Sequence, residues 1–174
     1  MSLWRHLRAV GLLPGVGTLL VPALIVWSTE AVSVGWSLPD GLAVLPMLVG
    51  VGLIGLGLLL MVRTMSLFAT VGQGTLAPWD PTSRLVVRGP YRHVRNPMIS
   101  GVLCLLLGEA ALLGSAPLLI WFGAFFAVNA IYLPLVEEPG LVRRFGRDYE
   151  TYRAEVPRWI PRLRPWDPGR PGGG

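Results

Sequence analysis

Residues 42–62 read LAVLPMLVGVGLIGLGLLLMV, twenty-one consecutive positions without an ionisable group. A helix needs about 20 apolar residues to cross the hydrocarbon core of a bilayer, with a working range of about 17 to 25. Three further stretches fit that range, residues 9–27, 98–114 and 117–136, and the only charge among them is Glu109. At 174 residues the chain has room for one domain, and its 14 % of charged residues falls well below the roughly 25 % of soluble domains. These features predict an all-α, polytopic integral membrane protein. It is expected to form a single membrane domain over 1–174, with four transmembrane helices and a cytoplasmic amphipathic C-terminal helix.

The first stretch is longer than the apolar region of a signal peptide, and no small-residue cleavage site follows in Ser28-Thr29-Glu30. It is therefore expected to stay as the first helix. All fifteen basic residues are arginine. With four spans, one face holds residues 1–8, 63–97 and 137–174, which carry two, five and eight arginines. The other face holds residues 28–41, with Glu30 and Asp40, and the uncharged Ser115-Ala116 turn. The positive-inside rule places both termini in the cytoplasm. Small size and arginine bias point to a bacterial inner membrane. The pI near 10.3 is then a topology signal, with some arginines available to anionic headgroups. Nucleic-acid binding, which needs basic residues interleaved with aromatics on a soluble fold, is not expected.

Several motifs carry less than they promise. Gly50-Val51-Gly52-Leu53-Ile54-Gly55 matches G-x-G-x-x-G, but it lies in the middle of an apolar span, where helix packing explains it better than phosphate binding. Gly11 and Gly15 have the spacing that lets membrane helices approach closely. Cys104 is the only cysteine and reads as a small core hydrophobe. His6 and His93 have no other imidazole or thiol nearby in sequence, so no metal site is expected. Glu109, inside the third span, reads either as a structural hydrogen-bonding group or as a functional carboxylate.

Two polar segments flank the last two spans. The first is Gly89-Pro90-Tyr91-Arg92-His93-Val94-Arg95-Asn96-Pro97. The second begins at Glu137-Glu138 and continues through Phe145-Gly146-Arg147-Asp148-Tyr149-Glu150-Thr151-Tyr152 to Val156-Pro157-Arg158. Pro97 and Pro117 suit first helical positions, and only Ser115-Ala116 separates the two spans, so they should form an antiparallel hairpin. Its ends, Arg95 and Glu137, should then lie about a helix diameter apart at one face. The pair reads as a salt bridge closing the hairpin or as a ligand site of opposed charges. Leu141, Phe145, Tyr149, Tyr152 and Val156 recur at helical spacing, which predicts one amphipathic helix at the interface. Pro157, Pro161 and Pro165 end regular helix, Trp159 and Trp166 suit interfacial anchors, and residues 168–174 read as a disordered tail.

Gly-Pro-Tyr-x-x-x-Arg-Asn-Pro, an apolar hairpin, and then Glu-Glu-x-x-Leu-x-x-x-Phe-Gly-x-x-Tyr-x-x-Tyr-x-x-x-Val-Pro-Arg resembles the isoprenylcysteine carboxyl methyltransferase family. Its wider group includes membrane phospholipid N-methyltransferases. The resemblance covers about residues 83–162. It implies an S-adenosyl-L-methionine site at the cytoplasmic face, built from elements 83–97 and 137–162, and a lipid-like or prenylated acceptor. By the same resemblance Leu85, Val86, Tyr91, His93, Asn96, Pro97 and Glu137 are cofactor-binding candidates. Arg95 and Glu137 are the catalytic candidates.

Three departures from the family pattern bear on the acceptor and the donor. Asn96 stands where histidine is usual, and both can donate a hydrogen bond. Ile99 stands where tyrosine is frequent. Leu133 replaces an arginine linked to the prenylcysteine substrate in eukaryotic members. Alternatives are a phospholipid N-methyltransferase, an NADPH-dependent membrane reductase of the sterol or steroid type, and a non-catalytic membrane subunit. The chemistry fits the first reading. Methyl transfer to a carboxylate neutralises charge, so a dry site and good alignment supply most of what is needed.

Overall fold

The structure, a computed structural model, describes residues 11–72 and 85–167. Arg5, His6, Arg8, residues 83–84 of the first site element and the tail from residue 168 lie outside the described residues, as do the surroundings of Gly11.

Every regular element among the described residues is helical. A π-helical segment, Gly11–Leu20, runs into α1 (Val21–Thr29). A short turn, Val34–Ser37, leads to α2 (Asp40–Leu67), which continues as the π-helical Phe68–Gly72. After the 3-10 turn Gly89–Arg92 come α3 (Pro97–Leu113) and α4 (Ala116–Tyr132). The π-helical Leu133–Glu137 joins α4 to α5 (Glu138–Phe145), and α6 (Arg147–Glu155) follows. Pro97 and Pro117 fall in the first helical turns, as expected.

Two helices, Gly41–Val71 and Ala116–Phe145, are long and apolar enough to cross a bilayer. Only 17 % and 6 % of their apolar windows is buried, the reverse of a core helix in a soluble protein. Ile120 is 73 % and Leu135 69 % exposed, a surface suited to lipid. Gly15–Thr29 and Pro97–Leu113 are apolar but shorter. At 17 residues α3 spans about 25 Å.

The tightest contact lies between α2 and α3, and glycine makes it possible. A Cβ on Gly57 would sit 2.6 Å from the Gly101 carbonyl oxygen, and one on Gly50 would sit 2.8 Å from that of Gly108. The pairs run in opposite directions, so the helices are antiparallel. Each helix spaces its two glycines by seven residues, the repeat that returns a contact to the same helix face. Gly52 and Gly55 have nothing within 4 Å of their would-be Cβ. Packing therefore accounts for only the first glycine of the G-x-G-x-x-G string, and its working partner is Gly57. Met61, Val102, Leu105 and Leu106 continue this seam into the core, covered by Ile54, Trp121, Phe122 and Phe125. Cys104 is free and half-buried beside it.

At the opposite end Ser33 N–H donates to Leu113 O (2.9 Å) and Trp36 Nε1 to Ala111 O (3.1 Å), locking the first loop onto the α3–α4 turn. Gly114 (φ +58°) adopts the left-handed conformation there, directly against the Ser33 carbonyl. Gly114→Ala combines that strain with a backbone clash. It is expected to cost about 2 kcal/mol or more, seen as a lower unfolding midpoint in detergent.

The amphipathic helix expected from residue 141 to residue 156 is divided. Gly146, at φ 55° and ψ −130°, breaks it into α5 and α6, in a conformation open to glycine alone. The apolar face survives the break. Tyr149, Tyr152 and Val156 are buried together, with Leu141, Phe145, Leu85, Val87 and Trp166 packed around them.

Candidate functional site

The site forms where three elements converge: the 3-10 turn Gly89–Arg92, the start of α3, and the π-helical end of α4. Gly89 opens the turn at φ +54°. This drives Tyr91 into the interior, where its ring lies 5.6 Å from that of Phe68 and its carbonyl accepts from Tyr152 OH (2.8 Å). Burial, then Tyr152 and then Glu137, push the Tyr91 phenol well above its ordinary value. Tyr91 thus stays protonated in a buried setting.

Glu138, next in the chain to Glu137, is the best-held carboxylate in the region. Arg95 NH1 donates to its Oε1 (2.8 Å), Arg158 Nε donates to the same oxygen (2.8 Å), and Arg158 NH2 donates to Oε2 (3.1 Å). Glu138 is 4 % exposed, so this is a desolvated, charge-assisted cluster in which removing one partner strands another. Burial, followed by the Glu138 charge, raises the Tyr149 phenol, and the nearby Arg95 offsets part of that.

The expected pairing of Arg95 with Glu137 is not made. The hairpin ends do meet, through Glu138 instead. Leu133–Glu137 is π-helical, and the Glu138 N–H bonds back to Leu133 O, five residues earlier. Pro134 and Pro139 remove N–H donors from the regular ladder here, which favours such a turn. The result aims Glu138 at the arginines and leaves Glu137 half-buried, with no hydrogen bond or ion pair among the described residues.

Asn96 caps α3 without a side-chain cap bond, and its Nδ2 is buried without a partner among the described residues. Arg95 Nε is likewise buried and unpaired. Pro97 is buried as the first residue of the helix. Tyr91, Arg95, Asn96, Pro97 and Glu137 are therefore gathered together. Leu85 flanks the tyrosine cluster and Val86 is buried, both outside regular secondary structure. His93 points elsewhere: its Nδ1 contacts the Arg162 carbonyl (2.7 Å), which can only accept, so Nδ1 carries the proton. Glu109 is half-buried on α3, with Oε2 unpartnered among the described residues.

Sequence reasoning missed Glu138 and Arg158. The signal for both was present, since they belong to the Glu-Glu and Val-Pro-Arg ends of one motif. It also missed the strap of residues 157–166, which folds back antiparallel along residues 92–95. Arg95 N–H donates to Pro157 O (2.9 Å), Arg162 N–H to His93 O (2.9 Å) and Trp166 N–H to Arg92 O (2.8 Å). The Arg92 guanidinium adds the Trp166 carbonyl and the Asp167 carboxylate.

Chemically, the arrangement offers a half-buried carboxylate, two buried N–H donors without partners among the described residues, and a buried phenol at the edge of an apolar helix bundle. No group of three or more potential metal ligands occurs among the described residues. S-Adenosylmethionine carries an ammonium, a carboxylate, ribose hydroxyls and a purine, and these residue types match it: Glu137 for the cation or the diol, Asn96 and Arg95 for acceptor atoms.

A family model described as phospholipid methyltransferase matches residues 45–148, more than half of the chain. The chain belongs to the phospholipid methyltransferase family, within the membrane methyltransferase group that also holds the isoprenylcysteine carboxyl methyltransferases. It is a membrane methyltransferase by family, and methyltransferases of this family generally use S-adenosylmethionine. No curated protein and no solved structure matches the chain.

Proposed function

We propose that the protein transfers a methyl group from S-adenosylmethionine to a lipidic acceptor at the cytoplasmic face of the membrane. In this reading the chain is one membrane domain with four spans and both termini in the cytoplasm, the arginine-rich face surrounding the site. The observation that carries it is the half-buried Glu137, adjoining the Glu138 that Arg95 holds, at the same polar end of the hairpin as the buried Asn96 Nδ2, which has no partner among the described residues.

When bound, S-adenosylmethionine supplies an electrophilic methyl on a sulfonium. Glu137 would hold the donor by its ammonium or ribose hydroxyls, Asn96 would donate an N–H to it, and the buried Tyr91 would donate its O–H. Leu85, Val86 and Pro97 give apolar walls that exclude water. Arg95 acts on the site from its ion pair with Glu138, through its remaining Nε–H. The bond to sulfur breaks as the bond to the acceptor forms, and the sulfur keeps the electron pair. A carboxylate acceptor needs no proton transfer, whereas an amine acceptor releases a proton.

The motif pattern favours carboxyl O-methylation of an isoprenylcysteine-like acceptor. N-methylation of a phospholipid amine is the second reading. It is favoured by the family match and by Leu133, 1 % exposed, at the position where a substrate-linked arginine would stand. Incubating the purified protein with methyl-labelled S-adenosylmethionine and total lipid extract separates them. Base-labile label released as volatile methanol identifies an ester, and base-stable label in a phospholipid headgroup identifies an amine. Labelling of no lipid, with no donor binding in calorimetry, supports a non-catalytic subunit. Cofactor oxidation with an enone substrate supports the reductase.

A further inference from the structure

We infer that Arg158 is a positioning residue of the donor site, acting from the C-terminal strap through Glu138 on Glu137. The inference rests on the proposed donor site and gives a role in it to a residue past position 148, where the match to the family model ends.

The geometry is specific. Arg158 presents Nε to one oxygen of Glu138 and NH2 to the other, a two-point grip that fixes the orientation of the carboxylate plane. Glu138 is also held by Arg95, so one buried carboxylate ties the strap to the residue that precedes Asn96. The strap itself is well anchored. It has three backbone hydrogen bonds to residues 92–95, and the Trp159 ring lies 5.2 Å from Phe126 on α4.

Glu137 and Glu138 are adjacent on a π-to-α junction, so their side-chain directions are coupled through the backbone. Holding Glu138 against two arginines fixes the backbone junction from which Glu137 projects. Without Arg158, one guanidinium would balance two neighbouring carboxylates in a partly dry site, and Glu138 would be free to swing towards the donor's cationic groups. Arg158 therefore keeps the two glutamates in separate roles, one a structural counter-ion and the other the donor's ligand.

The test measures donor affinity and steady-state kinetics on the full chain in detergent. Arg158→Ala is expected to raise donor Kd and donor KM by about tenfold while kcat at saturating donor stays within about twofold, because a misplaced ligand group is corrected by mass action. Arg158→Lys, which keeps the charge but loses the two-point grip, should recover part of the loss. In the Glu138→Gln background, Arg158→Ala should add little, since both changes break one contact. Arg162→Ala removes a strap side chain that bonds Glu155, not Glu138, and should leave donor affinity unchanged.

Unchanged donor affinity in Arg158→Ala overturns the inference, as does an additive double variant. A parallel fall in kcat and in both substrate affinities with a lower unfolding midpoint, not rescued by lysine, overturns it in favour of a purely structural role. Wild-type protein that binds no S-adenosylmethionine overturns the underlying donor site as well, which separates that failure from this one.

Discussion

Glu137→Ala is expected to weaken S-adenosylmethionine binding by about 100-fold, the usual scale for deleting one partner of a partly buried charged hydrogen bond. The expectation rests on a division of labour between neighbours. Glu138 has its valences filled by Arg95 and Arg158, whereas Glu137 is half-buried and makes no hydrogen bond or ion pair among the described residues. Calorimetric titration in detergent reads the effect directly. Glu109→Gln provides the contrast, since Glu109 lies well along α3 from Asn96, and donor affinity should be nearly unchanged. Equal affinities for wild type and Glu137→Ala would refute the donor assignment, whatever the fate of Glu109.

Gly57→Val should have the largest effect on stability. The first added carbon would already stand 2.6 Å from the Gly101 oxygen and 2.8 Å from Leu105 Cγ, and backbone cannot yield as a flexible side chain does. Overpacking of this kind costs about 3 kcal/mol or more, a fall of about 6–12 °C in the unfolding midpoint for a chain of this size. Activity should fall with it, because α3 carries Arg95 and Asn96 at its start and must shift to relieve the clash. Gly52→Ala and Gly55→Ala are the internal controls. Both have open space around the new methyl, and alanine is the better helix former, so the midpoint should hold or rise. A midpoint in Gly57→Val equal to that of the two controls would rule out the close α2–α3 seam.

What could be read from the sequence followed how far each interaction reaches along the chain. The apolar character of residues 42–62 and the hairpin at Ser115-Ala116 are local, and both were legible. The face formed by Tyr149, Tyr152 and Val156 was also legible, because burial repeats with helical period even across the break at Gly146. The break itself was hidden, since a glycine within a periodic pattern looks much the same whether or not the helix continues. Which glutamate would pair with Arg95 was not legible either. A π-helical turn closes on the fifth residue instead of the fourth, so it re-aims each side chain beyond it, and two adjacent glutamates exchange roles. The glycine seam was legible in part: the helix packing expected of the Gly50–Gly55 string is made by Gly50, and its partner Gly57 lies outside the string. The strap carries no period at all. Its contacts are backbone hydrogen bonds to residues about 60 to 75 positions earlier, which no local pattern announces.

That strap also sets an order of events during synthesis. Chains are made from the N-terminus, and the apolar helices exist before residues 157–166 are polymerised. Glu138 thus emerges with only Arg95 available to it, and its second guanidinium arrives twenty residues later. The helices can settle in the lipid while the polar end is still open, and the clasp across residues 92–95 comes last. A chain cut short before Pro157 would keep its whole apolar body and lack the piece that closes the polar end, so a membrane-inserted product and a finished one can be told apart by whether the strap is in place.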